Sequence, residues 1–274
     1  MNNLLKYIRF LSFDVTLGAT LLTLALSDFF GTELPHSIPI CMAISIWLIY
    51  TLDHLIDAKK HHEISIERHL FHRRNFKLIL INSVIIALFG IYIVLSLPAV
   101  TFLYGLGLIM LVIVYFTLIY FFENFHYKEV LVAIVYSLGV FLGPLSLNSG
   151  KIEVEFNVFF IQLLLLAMIN LLLFSYYDFE KDKEDKNPSI AIKLGKPAVQ
   201  RLLTFFFMVL VIIQTSSIIY FLGNFSHLIF QFLFMLMTVV LFALKKWKYH
   251  FAINDRYQFV GDGVFFIPTI WLLV

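Results

Sequence analysis

Cysteine is almost missing from this chain: Cys41 is the one thiol in 274 residues, so no internal disulfide can form and redox chemistry does not hold the fold. Cys41 lies in an apolar run and reads as inert packing. Charge is scarce too. Asp, Glu, Lys and Arg make up 14% of residues, against about 25% in soluble domains, while apolar types reach 61% and mean hydropathy is +0.90. So little charge cannot cover a water-facing surface, which excludes a soluble globule and implies an integral membrane protein. No stretch rich in Gly, Pro or Ser divides the chain, so one domain over residues 1–274 is expected. The formal charge of +2 is uninformative as a total, and no nucleic-acid partner is expected.

What is present is a series of apolar runs. About 20 such residues cross a bilayer as a helix, and the runs at 8–30, 38–57, 76–97, 99–122, 130–147, 156–177, 202–222, 228–244 and 259–274 predict an all-α polytopic protein of about nine spans. The first run resembles a signal peptide only superficially. It holds Asp14 and lacks a small-residue cleavage site, so a retained span is expected. With the N-terminus in the cytoplasm, Lys151 is the single cation of 20 Lys and Arg left on the far side, as the positive-inside rule requires.

Two of these runs end in paired acids. Residues 174–195, FSYYDFEKDKEDKNPSIAIKLG, place Asp178, Asp182 and Asp185 at i, i+4 and i+7, one face of a helix, before Pro188 stops it. Residues 50–57, YTLDHLID, repeat the i, i+4 pair as Asp53 and Asp57. By the topology above, both pairs face the cytoplasm. A carboxylate at a buried helix C-terminus meets both hydrocarbon and the negative end of the helix dipole, which calls for a positive partner. Paired Asp oxygens suit Mg²⁺, which binds through one or two carboxylates and completes its octahedron with water and phosphate oxygens. The competing view makes these acids solvated helix extensions, balanced by Lys181, Lys183 and Lys186.

Other polar residues carry weaker signals. His61, His62, His69 and His72 invite zinc, but no cysteine joins them and no spacing matches a structural site, so solvated loop histidines are expected. Gln162 and Asn170 need do no more than bond across helices. Asp14 and Asp262 lie just inside apolar runs, where insertion scales charge about 2.5 to 3.5 kcal/mol near the bilayer centre. Either they snorkel toward Arg9 and Arg256, or they face a cavity.

The spacing in residues 178–196 resembles the second Asp-rich signature of the UbiA-type membrane prenyltransferases: Asp178, Asp182, then Ser189 seven residues on and Gly195 six later. Asp53 and Asp57 match the acids of that family's first signature, while Ile49 stands where it has Asn, and Arg68 and Arg73 come later than its usual Arg-Pro. The resemblance implies a helical ring around a membrane cavity, with Asp53, Asp57, Asp178 and Asp182 as Mg²⁺ ligands and an isoprenyl diphosphate as substrate. It implies transfer of the prenyl group to a membrane-soluble, lipophilic acceptor. Arg68, Arg73, Lys128, Lys193 and Ser189 would then bind diphosphate. Tyr50, Tyr115 and Tyr177 would offer ring faces to an allylic cation. The motifs do not cover Asp14 and Asp262, which, if first and last helices are neighbours in the ring, are expected to border the cavity near the diphosphate site and to position or deprotonate the acceptor. Two other activities suit paired intramembrane acids: lipid-diphosphate binding without catalysis, and cation- or proton-coupled transport. Transport is disfavoured because the pairs share one membrane face and no Gly or Pro break recurs at matched mid-span positions.

Overall fold

The computed structural model describes residues 3–60, 67–122, 125–148, 154–185 and 187–273, the side chains of 3–6, 60 and 67–69 excepted. Among the described residues every regular element is helical. The first half comprises α1 (Asn3–Phe10), α2 (Phe13–Phe29), α3 (Ser37–Lys60), α4 (Glu67–Arg74), α5 (Phe76–Val94), α6 (Ala99–Phe121) and α7 (Lys128–Leu147). The second comprises α8 (Val154–Tyr177), α9 (Phe179–Glu184), α10 (Ile190–Leu194), α11 (Lys196–Tyr220), α12 (Phe225–Lys246), α13 (Lys248–Ala252) and α14 (Arg256–Gly263). A 3-10 segment, Val264–Leu273, closes the chain.

Seven of these helices, α3, α5, α6, α7, α8, α11 and α12, are long and apolar enough to cross a membrane. The first and ninth expected spans are broken instead. The first divides at Ser12, whose φ of 55° is left-handed, leaving a 17-residue α2. The ninth divides into α14 and the closing segment, which contains Pro268. Pro98 separates α5 from α6, as its missing N–H and fixed φ dictate.

The helices close a ring. α2 packs on α3 and α7, α7 on α6 and α8, α8 on α11, and α11 on α12, while the closing segment returns to both α12 and α2. Gly18 permits that last contact, because a Cβ there would stand 3.1 Å from the Phe266 ring. At the end away from the acids, aromatics fill the centre: Phe29 stacks on Phe230 at 4.3 Å and meets Phe159 edge-on at 5.2 Å. With lipid outside, burial alone does little to hold helices together, so polar cross-links matter. Gln162 and Gln231 exchange amide hydrogen bonds of 2.9 Å, and Gln214 donates to Thr238 at 2.9 Å. Buried His227 joins Ser217 on α11 to Glu155 on α8. These bonds fix one end of the ring and leave the other to open as a cavity.

Candidate functional site

The cavity, of about 850 Å³, lies where α3 and α8 end. Asp53 and Asp57 line it from the last turns of α3, one turn apart on one face of an unbroken helix. Asp178 and Asp182 line it from the joint of α8 and α9. Helical bonding passes across that joint, Asp178 N to Phe174 O and Asp182 N to Asp178 O, both 2.8 Å, so the i, i+4 geometry survives the change of helix. Asp185 does not line the cavity. α9 ends at Glu184 and the chain turns, Asn187 N bonding Asp182 O at 2.8 Å, so the expected third carboxylate leaves the shared face.

Pro188 breaks the chain, Ser189 caps α10 by accepting from Ile192 N at 3.4 Å, and Gly195, at φ 79°, turns it into α11. This loop folds Ser189 and Asn187 back onto the cavity wall. Asn187 donates to Asp182 Oδ1 at 3.1 Å and accepts from Lys128 Nζ at 3.1 Å. Lys128, at the start of α7, is also within electrostatic reach of Asp53, Asp57 and Asp182 and so stands between the two acid pairs. Asp182 is 7% exposed. Burial pushes its carboxyl up to about 6, although Lys128, Ser189 and Asn187 pull it down.

The first acid of each pair accepts a tyrosine hydroxyl. Tyr115 donates to Asp53 Oδ1 at 3.0 Å, and Tyr257 on α14 donates to Asp178 Oδ1. Asp178 further receives Gln258 Nε2 at 3.4 Å and lies 3.4 Å from Lys181 Nζ, which also reaches Asp255 at 2.8 Å. Gly261 lets α14 approach, since a Cβ would collide with Asn170 and stand 2.6 Å from Phe174.

A second, apolar cavity of about 220 Å³ lies among α3, α6 and α7. Tyr50, Asp53, Tyr115, Val132 and Tyr136 line both spaces and form the junction between them. Ile49, a turn before Asp53, faces the apolar one. Asp14 and Asp262 line the larger cavity from α2 and the end of α14.

Several expected residues lie elsewhere. Tyr177, rotated about 100° from Asp178 on the helix, stacks on Tyr257 at 4.3 Å and donates to Leu244 O at 2.7 Å. Lys193 is exposed, its Nζ 5.0 Å over the Tyr127 ring, because α10 turns Ile190 and Ala191 inward. Arg73 is exposed because its neighbour His72 takes the buried face of α4 and packs on His54 at 5.2 Å. That packing also removes His72 from the solvated histidines expected. The side chains of Arg68 and His69, and residues His61 and His62, lie outside the described set.

Sequence inspection missed Tyr257, Gln258, Asn187, Tyr136 and Glu129. Glu129 is 6% exposed and accepts from Ile190 N at 3.0 Å, so it anchors the motif loop on α7. The signal for it was an acid in the first turn of an apolar helix. Tyr257 and Gln258 had no local signal, since their value lies in contacts with residues about 80 positions away.

A family model described as the UbiA prenyltransferase family matches residues 15–267. Among curated proteins, none matches the chain in sequence. Among solved structures, a UbiA homologue from Archaeoglobus fulgidus bound to GPP and Mg²⁺ superposes with a TM-score of 0.67 at 15% identity, over 98% of this chain and 100% of that one. The same homologue bound to DMAPP and Mg²⁺ gives 0.66 at 14% identity, over 98% and 99%. The apo structure of a UbiA homologue from Aeropyrum pernix K1 gives 0.67 at 11% identity, over 96% and 98%. At these identities the likeness shows a shared fold.

Proposed function

The chain belongs to the UbiA prenyltransferase family, and from that premise we propose that it is a Mg²⁺-dependent intramembrane transferase that ionises an isoprenyl diphosphate and passes the prenyl group to a lipophilic acceptor. One observation carries the proposal: both acid pairs and Lys128 line a single cavity that continues, through a tyrosine junction, into an apolar one. The relatives bound to GPP or DMAPP with Mg²⁺ support it.

The donor set fits the metal. Among the described residues no three His, Cys, Asp or Glu gather as a closed cage. Two Asp pairs lining one cavity instead leave coordination positions for water and phosphate oxygens, as Mg²⁺ prefers. Held by Asp53 and Asp57 and by Asp178 and Asp182, Mg²⁺ would neutralise the charge that grows on the departing diphosphate. The protein's own groups do the rest. Tyr115 and Tyr257 each occupy one oxygen of the first acid in a pair and orient the other. Lys128 exchanges Asn187 for a phosphate oxygen, and Ser189 offers a further donor. The apolar space takes the prenyl chain, so its reacting carbon lies at the junction, where the faces of Tyr50, Tyr115 and Tyr136 stabilise positive charge without capturing it. In this reading the cavity mouth opens to the cytoplasm, which the cation distribution supports. Cysteine labelling should find residues 59–77 and 181–196 on one side of the membrane.

The test is incubation of the purified protein in lipid nanodiscs with geranyl diphosphate and a membrane lipid extract, with and without Mg²⁺. Mg²⁺-dependent diphosphate release with a prenylated product is expected. Mg²⁺-dependent binding without release would make the protein a lipid-diphosphate binder, and absence of binding would refute the assignment.

A further inference from the structure

One side of the end of α8 faces the large cavity; the other carries a cluster of cations that the transferase machinery does not use. Tyr176 is its centre. Two residues before Asp178, it lies about 200° round the helix from that acid, so it leaves the cavity wall and meets α11 and α13 instead. Lys196, at the start of α11, and Lys248, at the start of α13, hold their ammonium groups 6.0 Å and 5.8 Å from its ring centre. Lys248 Nζ also donates to the Tyr176 hydroxyl at 3.3 Å, and Gln200 Nε2 donates to the same oxygen at 2.8 Å. Lys196, Gln200 and Thr204 follow at four-residue spacing on one face of α11. Thr204 accepts from Lys245 Nζ at 2.6 Å, which joins the end of α12 to the patch. Lys246 and Arg201, the sequence neighbours of Lys245 and Gln200, are exposed.

These charges are not balanced. Lys196 pairs with Glu180 at 2.8 Å, whereas Lys245 and Lys248 bond neutral hydroxyls. Among the described residues no carboxylate lies within ion-pair distance of Lys245, Lys246, Lys248 or Arg201. Gathered cations repel one another unless an anion joins them. Topology explains why cations stand at this end of the helices, but not why three helices bring them to one place. One turn away from Arg201 and Lys245, the surface becomes apolar. Phe205 and Met208 on α11 and Val239 and Phe242 on α12 are exposed, on helices long and apolar enough to span a bilayer. Trp247 and Tyr249, exposed at the turn into α13, are the aromatic types that settle at a membrane interface.

We propose that this patch binds the headgroup phosphate of an anionic phospholipid, whose acyl chains lie along the exposed apolar faces of α11 and α12. The ammonium groups supply charge-assisted hydrogen bonds to the phosphate. Net headgroup charge selects the lipid, because a choline cation is repelled by the same lysines that attract phosphate, while an acidic headgroup carries no such cation. A lipid is favoured over a soluble anion, since the cations border apolar faces that phosphate alone leaves uncovered, and cations clustered beside a spanning helix are the footprint of acidic lipid. The site is independent of the prenyltransferase assignment.

The test is native mass spectrometry of the full-length protein, purified in detergent and titrated with phosphatidylglycerol or phosphatidylcholine. Phosphatidylglycerol should bind about tenfold more tightly or better. Lys245→Gln with Lys248→Gln should weaken it by about thirtyfold, roughly fivefold for each cation near an acidic headgroup, and leave phosphatidylcholine within about twofold. Lys248→Gln alone should cost about fivefold, which keeps the comparison if the double variant fails to fold. Arg74→Gln with Lys77→Gln removes the same charge from exposed positions on α4 and α5, and should stay within about twofold for both lipids. Melting supplies the folding control. In phosphatidylcholine nanodiscs the double variant of the patch should match the parent, and added phosphatidylglycerol should raise the melting temperature of the parent alone. Equal binding of the two lipids, or an equal loss in the Arg74 and Lys77 variant, overturns the inference. Displacement of phosphatidylglycerol by millimolar inorganic phosphate also overturns it and marks a free-anion site.

Discussion

Asp53 and Asp178 each accept a tyrosine hydroxyl, yet the two acids are held by different means. Asp53 sits with Asp57 inside a continuous 24-residue helix, so its direction follows from α3 itself. Asp178 stands at the joint before a six-residue helix, and Tyr257, Gln258 and Lys181 converge on its carboxylate. The first pair is positioned by secondary structure and the second by tertiary contacts. The second should therefore depend on residues far away in sequence.

The largest effect tests what the pairs share. Asp53→Asn, Asp57→Asn, Asp178→Asn and Asp182→Asn should each lower diphosphate release by about 100-fold or more, because each deletes a charged ligand at constant volume. Wild-type rates in both changes of the second pair would end the metal-site account. The tyrosines test what differs. Tyr257→Phe should cost about tenfold in Mg²⁺-dependent turnover, within the range for groups that orient metal ligands. Tyr115→Phe should cost about threefold, because α3 still fixes Asp53 and the ring face is kept. Equal losses would erase the distinction.

Burial of Asp182 adds a pH dependence. With the Asp182 carboxyl pushed up to about 6 by burial, protons displace the cation as pH falls through that value, so Mg²⁺-dependent diphosphate binding should decline there in a titration. Without metal the sign reverses. A carboxyl whose folded value exceeds its unfolded value of about 3.9 binds more protons when folded, so the metal-free protein should gain stability between about pH 7 and pH 4. Asp182→Asn should flatten that rise in a melting series. The smallest effects belong to groups outside the cavity: Asp185→Asn, Arg73→Ala and Lys193→Ala should each stay within about twofold of the parent rate.

Legibility in the sequence followed the same division. Apolar runs and the cation distribution predicted a helical membrane protein, because lipid leaves the backbone few alternatives. The first pair could be read from spacing on one helix. The second motif showed its acids and Ser189 but not their supports, since α14 reaches Asp178 only after the ring closes. Arg73, Lys193 and Tyr177 lie off the cavity for a related reason: neighbouring residues on a helix point about 100° apart, and which face turns inward depends on packing. The broken first and last spans escaped hydropathy, which registers composition and not a left-handed joint at Ser12.

The claim that both pairs serve one bound diphosphate has a direct measurement: calorimetric titration of geranyl thiolodiphosphate with Mg²⁺ into the parent, Asp57→Asn, Asp182→Asn and the double variant. If one ligand bridges the pairs, each single change removes most of the affinity and the double change adds little more, a strongly non-additive cycle. Additive losses, or full affinity in either single variant, would mean that the pairs bind separately and would contradict the account.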